Sequence, residues 1–174
     1  MNKDDLVFLA SFLNEGLIID KYLDPYEIEE EKEAISKVEE AEEAFVSDIL
    51  FKGSNSSKVA VCVQYSDEEW ISVKDRLFLD KILVAVGLSL ESIALINLHN
   101  TQKKNISQVG EKLPENKIIA FGLSSSLVQD FPKNKITHKN GQDYLCVDWS
   151  LTDIAMSKEK KNVLWKNLKS LFEL

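Results

Sequence analysis

Acidic side chains follow two of the strands that the sequence predicts, at the points where a parallel sheet usually holds its reactive groups. Asp67, Glu68 and Glu69 come after the first strand, and Asp148 and Asp153 come after the last. In an open α/β sheet, ligands meet the chain just beyond the carboxyl ends of the strands. Two carboxylates from adjacent strand ends would suit acid/base chemistry or a metal ion. Because the chain contains 29 acidic residues, we interpret this placement as coincidence rather than as a catalytic pair.

The sequence lacks the motifs of several common enzyme classes. It has six glycines, and none of them forms the G-x-G-x-x-G or G-x-x-x-x-G-K-[ST] pattern that cradles phosphates. There is no G-x-S-x-G elbow, and the three serines at 124–126 are interpreted as helix caps. His99 and His138 have no carboxylate at a motif spacing and are predicted to be surface residues. We therefore predict no catalytic, cofactor-binding or metal-binding residue.

The acidic charge of the chain is concentrated in its first third. The net charge is −8 overall, but residues 1–52 carry −10 and residues 53–174 carry +2. This asymmetry predicts two parts with different roles, and the acidic balance argues against strong direct binding of nucleic acid. No apolar run approaches the length of about 18 residues that a membrane span needs, and the N-terminus has acids where a signal peptide has bases. We therefore predict a cytoplasmic protein that does not enter a membrane.

The first predicted helix, over 4–15, has an apolar stripe that suits contact with either this chain or another protein. The stripe consists of Leu6, Phe8, Leu9, Phe12 and Leu13. Packing on the parent domain is one interpretation of such a stripe. Docking into the groove of a partner is the other, because amphipathic helices bind in this way.

A long acidic helix is predicted next, followed by a linker. A cap, a first-turn proline and a capping-box glutamate occur together at 24–27. The helix would run to about Ile49, with an apolar stripe on one side and a glutamate face that is either solvated or bound to a basic partner. Gly, Asn and Ser at 53–57 then indicate a linker. We therefore predict an acidic helical N-terminal segment over 1–52 and an α/β core domain over 58–174.

Four apolar, β-branched runs in the core predict buried strands. They occupy 58–64, 91–98, 118–123 and 144–147. Helices are predicted over 73–86 and 158–172, and mostly polar stretches make the other connections. Alternation of this kind predicts an α/β fold with a three-layer, mostly parallel four-stranded sheet flanked by helices.

The two cysteines, Cys62 and Cys146, fall in the first and the last of these strands. Inside a strand, a cysteine usually acts as a small buried hydrophobic residue. A disulfide would require the two strands to be neighbours, and a reducing cytoplasm disfavours one. We therefore predict two free, buried thiols.

Three stretches of the core together resemble one known family. Ser-Leu-Thr-Asp-Ile at 150–154 is followed ten residues later by Leu-Trp at 164–165, on the closing helix. The run LFLDKILVAVGLSLESIALINL at 77–98 joins a helix, a serine-initiated turn and a strand, and the strand at 118–123 follows Leu-Pro. In type and order these parts, over about 60–174, resemble the psi subunit family of bacterial DNA polymerase III.

The resemblance implies a uracil-DNA glycosylase-like fold without the activity. Those enzymes have a polar water-activating motif after the first strand and a His-Pro-Ser-Pro-like loop before the closing helix. Here the corresponding stretches read Gln-Tyr-Ser-Asp at 64–67 and Asp-Trp-Ser-Leu at 148–151, without the groups that hold a flipped base. The vestigial-site positions are Gln64, Tyr65, Asp67, Asp148, Trp149 and Ser150.

By the same resemblance, the chain is expected to be a non-enzymatic interaction subunit of DNA replication, with no cofactor. It would bridge a clamp-loader-like assembly to a single-strand-binding-protein adaptor, with the apolar stripe at 6–13 on one partner and an edge of the core on another. One alternative is a divergent glycosylase-like enzyme acting on DNA bases, in which Asp67 activates water and Ser150 or Trp149 contacts the base. Another is a stand-alone dimer joined by the acidic helices.

Overall fold

The computed structural model describes residues 43–46, 49–101 and 105–174. The predicted helix over 4–15 and the acidic helix up to residue 42 lie outside these ranges. So does the whole predicted partner-binding stripe, which is Leu6, Phe8, Leu9, Phe12 and Leu13. No helix within the described ranges is long and apolar enough to cross a bilayer.

The described residues form a mixed sheet flanked by helices. Its seven strands are β1 Glu43–Val46, β2 Ile49–Lys52, β3 Val59–Val63, β4 Ala94–Asn97, β5 Lys117–Phe121, β6 Ile136–Lys139 and β7 Gln142–Val147. The helices are α1 Val73–Ala85, α2 Ile106–Lys112, α3 Leu151–Ala155 and α4 Lys158–Phe172. The strand order is β1-β2-β4-β3-β5-β7-β6. The four central strands are parallel, and β1, β2 and β6 pair in antiparallel fashion.

The prediction of an α/β fold is confirmed, but the prediction of a four-stranded sheet is wrong. The four predicted strands are the parallel centre, and three antiparallel strands extend it. The missed strand β6 pairs with β7 through a tight turn at Asn140 and Gly141, whose φ angles are 53° and 78°. Asn-Gly favours such a turn, but Ile-Thr-His-Lys before it has little apolar character because this strand lies at the edge of the sheet.

The acidic helix was predicted to run to about Ile49, and the structure instead has the paired strands β1 and β2 at 43–46 and 49–52. In β2 the side chains of Ile49 and Phe51 are buried, whereas Leu50 and Lys52 are half-buried. This alternation with period two is typical of a strand. The α/β unit therefore begins at Glu43, N-terminal of the predicted start at residue 58.

The stretch over 53–57, predicted as a linker, is held to the loop before β4. Ser54 and Ser57 donate backbone N–H groups to the carbonyls of Glu91 and Ser92, at 2.7 and 2.9 Å. Gly53 has a φ of +106°, and a Cβ at this position would lie 2.1 Å from the carbonyl oxygen of Ile93. Glycine at position 53 therefore permits a close backbone contact, which the linker-like composition of the stretch does not reveal.

Each face of the sheet is covered by helices. Ala60 and Cys62 of β3 belong to a core cluster that includes Ile106 and Val109 of α2. The alternate residues of β3 are also buried and point to the opposite face. On that face α3 contacts both α1 and α4, and α4 contacts β7. The parallel strands are consequently buried on both sides.

The two cysteines are free and buried, as predicted. Cys62 is aligned with Ala120 of β5, and Ala120 is aligned with Cys146. Two strand spacings separate the thiols' Cα atoms by about 9.6 Å, beyond the limit of about 7 Å for a disulfide. Burial raises the pKa of the Cys62 thiol, and it raises the pKa of Cys146 to about 12.

Candidate functional site at the carboxyl ends of the parallel strands

The crevice at which this topology would bind a ligand lies between the ends of β3 and β5. The chain leaves β3 to form β4 on one side and then crosses to β5 on the other. Such a reversal opens a crevice at the carboxyl ends of the two strands. Here Gln64, directly after β3, accepts a hydrogen bond through Oε1 from the backbone N–H of Ser124, at 2.9 Å. The chain itself therefore bridges the candidate crevice.

A buried carboxylate lies beside this crevice, at the start of α1. Asp75 is 3% exposed, and its side chain accepts hydrogen bonds from three hydroxyl groups. Tyr65 Oη lies at 2.7 Å and Ser72 Oγ at 3.1 Å from Oδ2, while Thr152 Oγ1 lies 2.8 Å from Oδ1 and 2.9 Å from Oδ2. We call these four residues the Asp75 cluster. The hydroxyl donors and the positive end of α1 stabilise the buried charge.

The Asp75 cluster joins segments that follow strands β3 and β7, which are not neighbours. Tyr65 belongs to the loop after β3, and Thr152 lies in α3, after β7. Burial is the main cause that raises the pKa of Tyr65 above its ordinary value, and the hydrogen bond to Asp75 raises it further. Its hydroxyl therefore stays protonated and acts as a donor to the carboxylate, rather than as a base.

Asn97, the last residue of β4, organises the loop after β3. Its side chain is 1% exposed. Oδ1 accepts from the backbone N–H groups of Tyr65 and His99 at 3.0 and 3.1 Å. Nδ2 donates to the carbonyls of Tyr65, Glu68 and Glu69 at 2.9 to 3.2 Å. One buried amide thus fixes the backbone on which the predicted acidic residues lie.

A close backbone contact joins the end of β5 to the start of α3. Gly122 has a φ of +58°, and a Cβ there would lie 2.9 Å from both the backbone N and the Cα of Ser150. Ser150 caps α3 by accepting the N–H of Asp153 at 3.1 Å. Hydrogen bonds from Ser150 in turn lower the pKa of the Asp153 carboxyl. The role of Ser150 at this place is therefore that of a helix cap.

The other vestigial-site positions have separate neighbours. Asp67 is exposed and accepts from the hydroxyl of the adjacent Ser66 at 3.0 Å. Asp148 is exposed and forms an ion pair with Lys133. The ring of Trp149 is half-buried and lies 5.5 Å from Lys160 Nζ. Among the described residues, the carboxylates of Asp67 and Asp148 share no hydrogen-bond partner.

The sequence did not identify the residues that organise this site. Ser72 and Asp75 have the S-x-x-D spacing of a capping box, which indicates a helix start but does not indicate the contact with Thr152. The sequence shows Asn97 only as a polar residue at the end of an apolar strand. Such a residue is buried only when its amide is fully hydrogen-bonded.

The chemistry available at this edge is limited by these contacts. Over 49–101 and 105–174, no group of three or more His, Cys, Asp or Glu side chains is arranged to hold a metal ion. The converging polar groups donate to and accept from each other, which stabilises the loops. Comparisons with protein-family models, with curated proteins and with solved structures gave no match.

Proposed function

We propose that this chain is a non-enzymatic protein-interaction subunit built on an α/β core. The observation that supports the proposal is the set of hydrogen bonds at the carboxyl edge of the parallel strands. Gln64 bridges the crevice to Ser124, and Asp75 is satisfied by three hydroxyls. An active site needs polar groups directed at a substrate, whereas these are directed at one another.

The proposal extends to DNA replication through the resemblance to the psi subunit of DNA polymerase III. It includes a uracil-DNA glycosylase-like arrangement of the core and partners such as a clamp loader or a single-strand-binding-protein adaptor. The four parallel strands and the helices on both faces of the sheet are compatible with that fold. The site residues agree with a scaffold, because Ser150 caps a helix and Tyr65 binds Asp75.

Affinity purification of the full-length chain from its native cells tests this proposal. We expect clamp-loader subunits or single-strand-binding protein to be recovered in amounts comparable to the bait. A sample of the chain that is denatured and prevented from refolding should recover none of these proteins. This sample is the control for adhesion to the resin. Recovery of no replication protein would contradict the proposed role in replication.

The alternative of a glycosylase-like enzyme is favoured by one observation, the half-buried ring of Trp149 beside Lys160 at the same edge. An aromatic ring and a cation can stack on and neutralise a nucleic acid strand. Release of uracil from a single-stranded oligonucleotide would support this alternative if Asp67→Asn abolished it. The interaction subunit predicts no release of uracil by the parent protein.

A further inference from the structure

Helix α1 exposes a line of apolar side chains. Val73, Leu77 and Val84 are 54%, 43% and 64% exposed. At 100° per residue, the three side chains lie within an arc of about 40° and extend over about 16 Å of the helix. We call these three residues the α1 ridge. Among the described residues, only Met156 and Leu174 are other large hydrophobic side chains with comparable exposure.

The α1 ridge is additional to the core-facing side of the same helix. Leu79 and Ile82 are buried and lie on the opposite side of α1 from the ridge, and Leu83 is buried about 100° around the helix from it. A surface helix that packs on one side only normally has polar residues on the other. Apolar residues aligned on the solvent side indicate a protein contact.

Met156 is a further exposed apolar side chain, but it is not part of the α1 ridge. It lies directly after α3 and is 71% exposed. Thr152 of α3 donates to Asp75, which lies about 160° to 180° around α1 from the ridge residues. Three of the five exposed large hydrophobic residues in the described part of the chain therefore belong to α1 itself.

One flank of the ridge is basic. Lys74 and Lys81 are exposed and lie about 80° to 100° around the helix from Val73. On this side α1 approaches α4, because Lys161 Nζ of α4 lies 5.9 Å from the ring of Phe78. Burial is the main cause that lowers the pKa of Lys161, and the charge of Lys81 lowers it further. Helix α4 as a whole contains five lysines and one glutamate.

We propose that the α1 ridge binds an amphipathic helix of a partner protein, whose apolar side contacts the ridge and whose acidic residues face Lys74 and Lys81. This inference rests on the proposed function and names the surface that performs it. A second copy of the chain is a poorer occupant, because two ridges packed antiparallel would bring like-charged lysines close. Nucleic acid is a poorer occupant because the centre of the surface is apolar and Asp80 adjoins it.

Site-specific photo-cross-linking from the full-length chain tests the inference. Benzoylphenylalanine replaces Leu77 in one variant and Leu174, which is 59% exposed at the C-terminus, in the control. We expect position 77 to cross-link to a single protein segment with apolar residues at helical spacing and acidic residues beside them. Position 174 should not cross-link to that segment.

A synthetic peptide with the sequence of the cross-linked segment then gives the affinity. Leu77→Ser should weaken binding about tenfold, whereas Leu174→Ser should leave it unchanged. Lys74→Glu should also weaken binding, and replacing the acidic residues of the peptide by lysine should restore it. Rescue of this kind requires that the opposite charges meet in the complex.

The remaining outcomes overturn the inference in distinguishable ways. Cross-links from position 77 to a second copy of the chain, or to nucleic acid, would replace the proposed occupant. Full recovery of replication proteins by the Leu77→Ser variant would refute the ridge but leave the proposed function standing. Recovery of no protein partner by the parent chain would refute both.

Discussion

The carboxyl edge of the parallel strands and the α1 ridge are opposite in chemistry. At the edge, Asp75 and Asn97 are polar, almost fully buried and hydrogen-bonded to the chain itself. On the ridge, Val73, Leu77 and Val84 are apolar and exposed. A buried polar network contributes to a unique, stable fold. An exposed apolar surface lowers the solubility of a protein unless a binding partner covers it. From this difference we expect stability to depend on the edge and the proposed binding to depend on the ridge.

Removal of the Asn97 amide should produce the largest loss of stability. Asn97→Ala removes five hydrogen bonds and leaves buried backbone groups without partners, so unfolding free energy should fall by about 3 to 5 kcal/mol. Urea denaturation measures the loss. Asn100→Ala is the control, because its exposed side chain donates to one carbonyl, that of Glu69 at 2.8 Å. A loss below about 1 kcal/mol for Asn97→Ala would show that the edge is not structural.

Filling the contact between β5 and α3 should have the next largest effect. Gly122→Ala places a Cβ against the Ser150 backbone and requires a residue with a side chain to hold a positive φ. We expect a loss of about 2 to 4 kcal/mol by thermal or urea unfolding. Gly141→Ala is the matched control, since Gly141 has a φ of +78° with nothing within 4 Å of its Cβ position. Equal losses in both variants would mean that the close contact contributes nothing.

The two hydroxyl donors from the β3 and β7 segments should be coupled through Asp75. Tyr65→Phe and Thr152→Val each remove a hydrogen bond to a buried carboxylate, and each should cost about 1.5 to 3 kcal/mol. Because both contact Asp75, the double variant should deviate from additivity by at least about 0.5 kcal/mol. Strict additivity in a double-mutant cycle would show that the cluster does not act as a unit.

A smaller and pH-dependent effect is expected at the opposite end of β7. The hydrogen bond with His138 is the main cause that lowers the pKa of Asp143 below its ordinary value of 3.8, and Lys117 lowers it further. The unfolded chain therefore binds a proton at higher pH than the folded chain does, and the stability that Asp143 contributes is lost as pH falls through its folded-state pKa. Because the pair is partly exposed, Asp143→Asn should lower the unfolding free energy by only about 0.5 kcal/mol at pH 6. The loss should be smaller at pH 3, where protonation already reduces the contribution of Asp143. An equal cost at both pH values would contradict this assignment.

The α1 ridge should have the smallest effect on stability. Leu77→Ser replaces an exposed apolar side chain by a polar one, so the unfolding free energy should change by no more than about 0.5 kcal/mol. The same variant is expected to lose partner binding. A large loss of stability would show that Leu77 belongs to the core and would remove the basis for a docking surface.

The local features of the fold were predictable from the sequence. The closing helix was predicted at its observed bounds, Lys158–Phe172, because its leucines recur at helical spacing. The four parallel strands were predicted because they are apolar on both faces. Strands β1 and β2 were missed because Phe45 and Ile49 have a spacing that fits a helix, although the alternation in β2 fits a strand.

The contacts of the site were not predictable, because they join distant parts of the chain. Asp75 and Thr152 are 77 residues apart, and neither has a sequence context that marks it as functional. Gln64 and Ser124 are 60 residues apart, and their contact uses a backbone N–H that any residue would supply. The α1 ridge was also missed. Leu77 is one of the apolar positions of the predicted helix over 73–86, and periodicity alone does not distinguish a side chain that faces the core from one that faces solvent.

The most direct test of this account compares Leu77→Ser with Tyr65→Phe in the same two measurements. Leu77→Ser is predicted to keep the melting temperature of the parent protein and to lose the partner that the parent recovers from its native cells. Tyr65→Phe is predicted to lower the melting temperature and to retain the partner at temperatures where the variant is folded. A Tyr65→Phe variant that stays stable but loses its partner, beside a Leu77→Ser variant that retains it, would contradict the account and locate function at the carboxyl edge.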